Sequence, residues 1–171
     1  MHATQHAENL ASRTAAAGQF TLVRPPIDRE SISSRRLLDM IEQVEILSAP
    51  GNRTIWEMLL DAGADADQLQ YRDPKDDRFS VFHAALQFRI STAKHKGFLV
   101  IEDDPENRCY RIRLQHEEGI AMEFHPKRVF LKNLASEIYQ LVDDGVARSR
   151  GTAAPELIAD ENLSGSHVPL M

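Results

Sequence analysis

The sequence predicts an α+β domain, on three observations. Residues 78–96 recur at helical spacing and stop at Gly97. Residues 98–114 read as strand, turn and strand. Amphipathic stretches at 28–47 and 127–143 add one helix ahead of this core and one behind it.

In chain order, residues 1–27 are expected to form a disordered or extended arm. Phe20–Val23 is a candidate short strand, and Pro25-Pro26 cannot continue a helix. A helix is expected from Asp28 or Ser31 to about Leu47. Its stripe is Ile32, Leu37, Met40, Ile41, Val44 and Leu47. Pro50-Gly51-Asn52 breaks it. Thr54-Ile-Trp-Glu57 is a capping box, in which Thr caps the helix and Glu reaches back. Ile55, Met58, Leu59 and Ala62 form the buried face of that helix, and Gly63 ends it. Residues 64–70 suit one or two helical turns. Residues 71–77, with Pro74, read as a polar loop.

On a wheel of about 100° per residue, 78–96 separates two faces. Phe79, Phe82, Leu86, Ile90 and Ala93 form a core side. Ser80, His83, Gln87, Ser91, Lys94 and His95 form a polar arc without acids. Gln suits adenine and Lys suits guanine, so the arc is a candidate base-reading surface. An ordinary solvated helix face is the competing reading.

Phe98–Glu102 is the first strand of the hairpin, Asp103–Arg108 its turn and Cys109–Leu114 its second strand. Tyr110, Ile112 and Leu114 alternate with Arg111 and Arg113, giving one buried and one basic face. The turn is acidic, and only Arg108 there could grip a phosphate. Gly119–Phe124 reads as a third strand, with Ile120, Met122 and Phe124 facing one way. In the last helix, Leu131, Leu134, Ile138 and Leu141 are spaced as a narrow seam two helices could share, which would support a homodimer. The wider set with Phe130, Ala135 and Val142 suits packing on its own domain equally well. Residues 146–171 are expected to be a flexible tail.

The 171 residues suit a single domain over 28–145, and 42% hydrophobic content is enough for a core. The lone Cys109 permits no intrachain disulfide, so a reducing, cytoplasmic setting is expected. No stretch approaches the roughly 20 apolar residues of a membrane span, and the N-terminus lacks the pattern of a secretory signal. The net charge of −6 argues against nonspecific coating of nucleic acid. Its distribution is uneven: seven basic and four acidic residues in 78–114 make that block +3 and leave −9 elsewhere.

Helices 53–62, 64–71 and 78–96 followed by hairpin 98–114 resemble the winged helix-turn-helix superfamily, over about 60 residues. The resemblance implies a winged-helix core in which 78–96 is the recognition helix. His83, Gln87, Ser91, Lys94 and His95 would then contact DNA, with Arg108, Arg111 and Arg113 on the wing. A second parse of 78–143, helix–three strands–helix, looks like a double-stranded-RNA-binding domain, with Lys127, Arg128 and Lys132 at the phosphate-gripping position. Size, acidity and element order are also similar to small dimeric chaperones that bind secreted proteins.

No phosphate-binding glycine loop, dinucleotide fingerprint, H-E-x-x-H or C-x-x-C is present. The nearest metal-like group is His116, Glu117, Glu118, Glu123 and His125, which reads better as a solvated turn and strand end. Asp61, Asp65 and Asp67 fail the calcium-loop spacing. The expectation is a DNA-binding regulator or accessory factor, not an enzyme, with no cofactor and no metal. The alternative is an acidic protein-binding adaptor or chaperone.

Overall fold

Ser34 starts the first helix. Its side chain accepts the Leu37 amide at 3.1 Å, and Asp73 accepts the Ser33 and Ser34 amides, both at 2.8 Å. In the computed structural model, which describes residues 23–76, 81–118, 122–124 (backbone only) and 128–148, this helix, α1, spans Arg35–Ile46. Leu37, Met40, Ile41 and Val44 are buried, as their helical spacing predicts. Ahead of it, a 3₁₀ turn covers Arg29–Ser31.

The break after α1 is a small hairpin. β1 (Ser48–Ala49) pairs antiparallel with β2 (Arg53–Thr54). Gly51 and Asn52 turn it with φ of 93° and 59°, where glycine and asparagine are tolerated best. Helix α2 (Ile55–Asp61) follows, and the predicted capping box is formed in both directions. The Glu57 amide donates to the Thr54 hydroxyl at 3.1 Å, and the Thr54 amide to the Glu57 carboxylate at 2.8 Å. A 3₁₀ turn at Ala66–Gln68 stands where one or two helical turns are expected.

The next segment differs from expectation. Gln70–Arg72, read as the end of a turn and the start of a loop, forms strand β3. Ala85–Ser91, read as part of a recognition helix, forms strand β4. Residues 77–80, including Phe79 and Ser80, lie outside the described residues. The physical reason is in the side chains. Leu86, Phe88 and Ile90 alternate with Gln87, Arg89 and Ser91, and only an extended chain buries all three apolar members on one face. The chain then reverses, with the Thr92 amide donating to the His95 carbonyl at 2.9 Å. For the same reason the helix of the double-stranded-RNA-binding parse is not found among the described residues.

Hairpin 98–114 is present and longer than expected. β5 (Lys96–Asp104) pairs antiparallel with β6 (Cys109–His116). Gly97 is therefore no helix stop. It lies within β5 at φ 145°, where an added Cβ would fall 1.9 Å from the Gln115 carbonyl oxygen. The third strand is β7 (Met122–Phe124), paired with Arg113–Gln115; Ile120 lies outside the described residues. The five strands form one antiparallel sheet in chain order, β3-β4-β5-β6-β7.

The last helix begins later than expected. Val129 exchanges both backbone hydrogen bonds with Tyr110, at 2.8 and 3.0 Å, which holds the chain extended there. A 3₁₀ turn at Leu131–Asn133 leads into helix α3 (Leu134–Val142). Leu134, Ile138 and Val142 are buried in one core with α1, α2 and the inner face of the sheet. Leu134 and Ile138 thus face this chain's own core and are not free to meet a second helix. Leu141 packs on the same core half-buried, and Leu131 is 37% exposed. The architecture is mixed α+β, with three α-helices and two antiparallel sheets among the described residues. No described helix is long and apolar enough to cross a membrane. Residues 1–22 and 149–171, most of the expected arm and tail, lie outside the described residues.

Gly97→Ala should lower stability by about 1–3 kcal/mol through backbone strain alone, with the Gln115 clash adding to it; an unchanged urea midpoint would contradict this packing. Ile138→Ala should cost about 2–5 kcal/mol, and Leu134→Asp should abolish the folded circular dichroism signal. A folded Leu134→Asp monomer would place the seam at a partner instead.

Candidate functional site

The helices cover one face of the sheet, and the pleat sends alternate residues to the other. On this outer face, cross-strand register aligns Gln70, Gln87, Val100 and Arg113 in one row. Arg72, Ala85, Glu102 and Arg111 form the next, and Arg89, Phe98 and Gln115 a third. Val100 and Ala85 are buried yet lie outside the main core, as expected of small residues beneath long polar neighbours.

The arginines of this face are engaged by carboxylates. Arg72 and Arg113 each place Nη2 on the same oxygen of Glu102, at 2.8 and 2.9 Å. Arg111 Nε donates to Asp104 at 3.0 Å, and Arg89 pairs with Glu117 at the sheet end. Arg72 also donates to the His83 carbonyl at 2.8 Å and lies over the exposed Phe82 ring, 5.6 Å from its centroid. Gln87 donates to Gln70 at 3.3 Å.

Of the residues expected to contact DNA, Gln87, Arg111 and Arg113 share this face, and Ser91 sits at its end. The others are dispersed. His83 is in the loop before β4. Lys94 turns towards α3, with Nζ donating to the Gln140 carbonyl at 3.2 Å. His95 is buried, its Nε2 3.2 Å from the Phe98 carbonyl and its ring edge-on to His116 at 5.1 Å, so it cannot read bases. Arg108 is exposed at the far turn, at φ 52°. The helical arc is thus split between strand, turn and core. Sequence reasoning missed Arg72, Arg89 and Glu102. Two of these had a signal: Arg89 follows Gln87 at the strand period, and Glu102 closes an alternating strand. Arg72 had none.

The candidate metal groups do not assemble among the described residues. Glu117 pairs with Arg89, Asp65 caps its own turn at 2.9 Å, and Asp61 binds Arg53 at 2.6 Å. Burial, followed by the nearby Asp104 charge, pushes the Cys109 thiol up, which makes it a packing residue more than a nucleophile. Tyr110, buried and donating to Gln43, is pushed up to about 12. Comparison with protein-family models, curated proteins and solved structures finds no match.

Asp104 anchors the end of the face. Burial alone would raise its carboxyl, but hydrogen bonds from Asn107 and Arg111 outweigh this and hold it below the usual value. A depressed folded value means that its stabilising contribution is full above the ordinary Asp range, about 3.9. The contribution is lost as pH falls through the folded value. Asp104→Asn should therefore melt below the wild type at pH 7, with the gap closing as pH falls below about 4. A gap independent of pH would rule out the charged contribution.

Proposed function

We propose that this chain is a non-catalytic docking module that binds another protein across the outer face of its sheet. One observation carries the reading. Each described arginine of that face, Arg72, Arg89, Arg111 and Arg113, is already matched by a carboxylate of the same chain. Binding of a phosphate backbone is driven by cations that neutralise phosphates and so release the counterions condensed on the nucleic acid. Here the cations are already held by fixed carboxylates, so nucleic acid must compete with those. A lattice of paired charges set between apolar positions such as Phe98 and Val100 suits a protein partner, whose own charges can re-pair across the interface. The net charge of −6 supports the same reading.

Nucleic-acid binding is the second reading, favoured by Gln87, Arg111 and Arg113 lying on one face. Contact would then run through strands. The winged-helix form of that reading keeps its hairpin, while β4 occupies the place of its recognition helix.

The test pairs two measurements. Labelled duplex DNA and duplex RNA at about 50 mM salt should show no specific binding. A photo-crosslinker at Gln115 should capture a discrete protein partner, whereas one at Glu42 on α1 should not. The double variant Arg111→Glu/Arg113→Glu should abolish that capture while remaining folded. Tight, salt-dependent nucleic-acid binding lost in the same variant would reverse the assignment.

A further inference from the structure

We infer that the outer face takes an extended acidic segment with an apolar centre, and that this chain's own residues 156–160 are its occupant. The inference deepens the docking reading by naming the class of segment that the face fits.

The last described residues lie beside that face. Asp144 accepts the Ala93 amide at the β4–β5 turn and pairs with Arg148. The Arg148 amide donates to the Asp61 carbonyl at 3.2 Å, and the adjoining Ala62 carbonyl accepts the Ser91 amide at 3.0 Å. The chain beyond Arg148 therefore starts at the end of β4 that carries Ser91. Arg89 is two residues along that strand, about 7 Å away. Seven residues, 149–155, separate Arg148 from Glu156, and the step from one to the other reaches about 25 Å when extended. The face from β3 to β6 is three strand spacings wide, about 14 Å.

Charge and spacing select the segment Glu156-Leu-Ile-Ala-Asp160. When it is extended, Glu156, Ile158 and Asp160 share one side, with the two carboxylates about 14 Å apart. On the face, Arg89 and Arg111 stand two rows and two strands apart, which places their backbones about 17 Å from each other. Long guanidinium side chains close the difference. Between the two arginines lie Val100 and the half-buried Phe98 of β5. Glu156 thus meets Arg89 at the near end, Ile158 meets the apolar centre, and Asp160 meets Arg111 at the far end. Both arginines have room for a second carboxylate: their side chains are 35% and 55% exposed while paired with Glu117 and Asp104. The Arg89–Glu117 pair is open to solvent on both sides, and pairs of that kind hold weakly. Tethering adds to the fit, because a segment on a short linker meets its site at an effective concentration on the order of millimolar. A contact too weak to form between molecules then forms within one, and an outside partner must displace it.

The experiment is paramagnetic broadening of amide signals in the full-length chain. A nitroxide is attached to Ala159→Cys, with the buried Cys109 left unmodified. The Phe98 and Val100 amides should broaden beyond detection, and those of Asp39 and Glu42 on α1 far less. Isotope-labelled chain without the nitroxide, mixed with unlabelled chain that carries it, should show no broadening, since the contact lies within one molecule. Glu156→Lys/Asp160→Lys should abolish the broadening, and adding Arg89→Glu/Arg111→Glu should restore it. The pair Glu156→Lys and Arg89→Glu serves if the fourfold variant unfolds. The inference is overturned if Phe98 and Val100 stay sharp, if α1 broadens as much, or if the mixture broadens. It is equally overturned if the broadening survives the tail reversal or is not restored in a folded charge-swapped chain. Those outcomes leave partner capture at Gln115, and with it the docking reading, standing. Failure of the Glu156→Lys/Asp160→Lys chain to capture any partner would instead sink the docking reading and keep the tail contact.

Discussion

Phe88 lies against Trp56, ring centroids 6.0 Å apart and tilted by 45°, and this contact fixes the rest of the molecule. It ties α2 to strand β4, and through β4 it sets which face of the sheet is inside. Both side chains are essentially fully buried, with Leu86 and Ile90 flanking Phe88 on the same face. Losing either ring would cost about 3–5 kcal/mol. A one-residue slip of β4 would bury Gln87 and Arg89 and expose all three apolar residues, so the register has no near competitor. The indole Nε1 has no hydrogen-bond partner among the described residues. Leaving such a donor dry costs about 1–3 kcal/mol, which the large apolar surface of the ring offsets.

Charged groups hold the periphery to this core. Arg53, at the β1–β2 hairpin, binds Asp61 at the end of α2 and Asp143 just past α3. Burial would lower the Arg53 guanidinium, but its two carboxylate partners more than reverse this, so it stays charged. The three groups are mostly buried, a setting in which removing one member hurts more than forming the set helps. Their service is to specify where three elements meet. Glu45 on α1 plays a similar part, gathering Arg24 and Arg29 from the preceding segment. Beyond α3, Asp144 accepts the Ala93 amide at 2.8 Å and pairs with Arg148, which closes the chain over the β4–β5 turn.

How much of this was legible in the sequence depended on how local the cause was. The α1 stripe, the capping box at Thr54 and hairpin 98–114 are set by residues close in sequence, and each is found. Strand β4 was misread because Leu86 and Ile90, four apart, satisfy a helix and a strand equally. Phe88 was the discriminating residue, since a helix would turn it away from both. The strand at Met122–Phe124 was legible from the alternation around it, whereas the three-residue strand β3 is too short to show a period. Leu134, Ile138 and Leu141 of the expected seam do lie on α3 and pack on a core, but Leu131 falls in the preceding 3₁₀ turn and is exposed, and spacing alone does not say whose core the others meet. The outer face was half legible: the alternation of Arg111 and Arg113 announced a basic face, while its neutralisation did not show. Arg72 and Glu102 are 30 residues apart, and only the folded sheet brings them together.

The fold depends on residues 85–91 being a strand whose inner face is core. Nuclear Overhauser contacts on labelled protein test this most directly. The predicted result is cross-strand backbone contact between Gln87 and Val100 and between Phe88 and Leu99, with exchange-protected amides along β4 and β5. Helical contacts between residues three apart through 85–91, with no contact to β5, would contradict it.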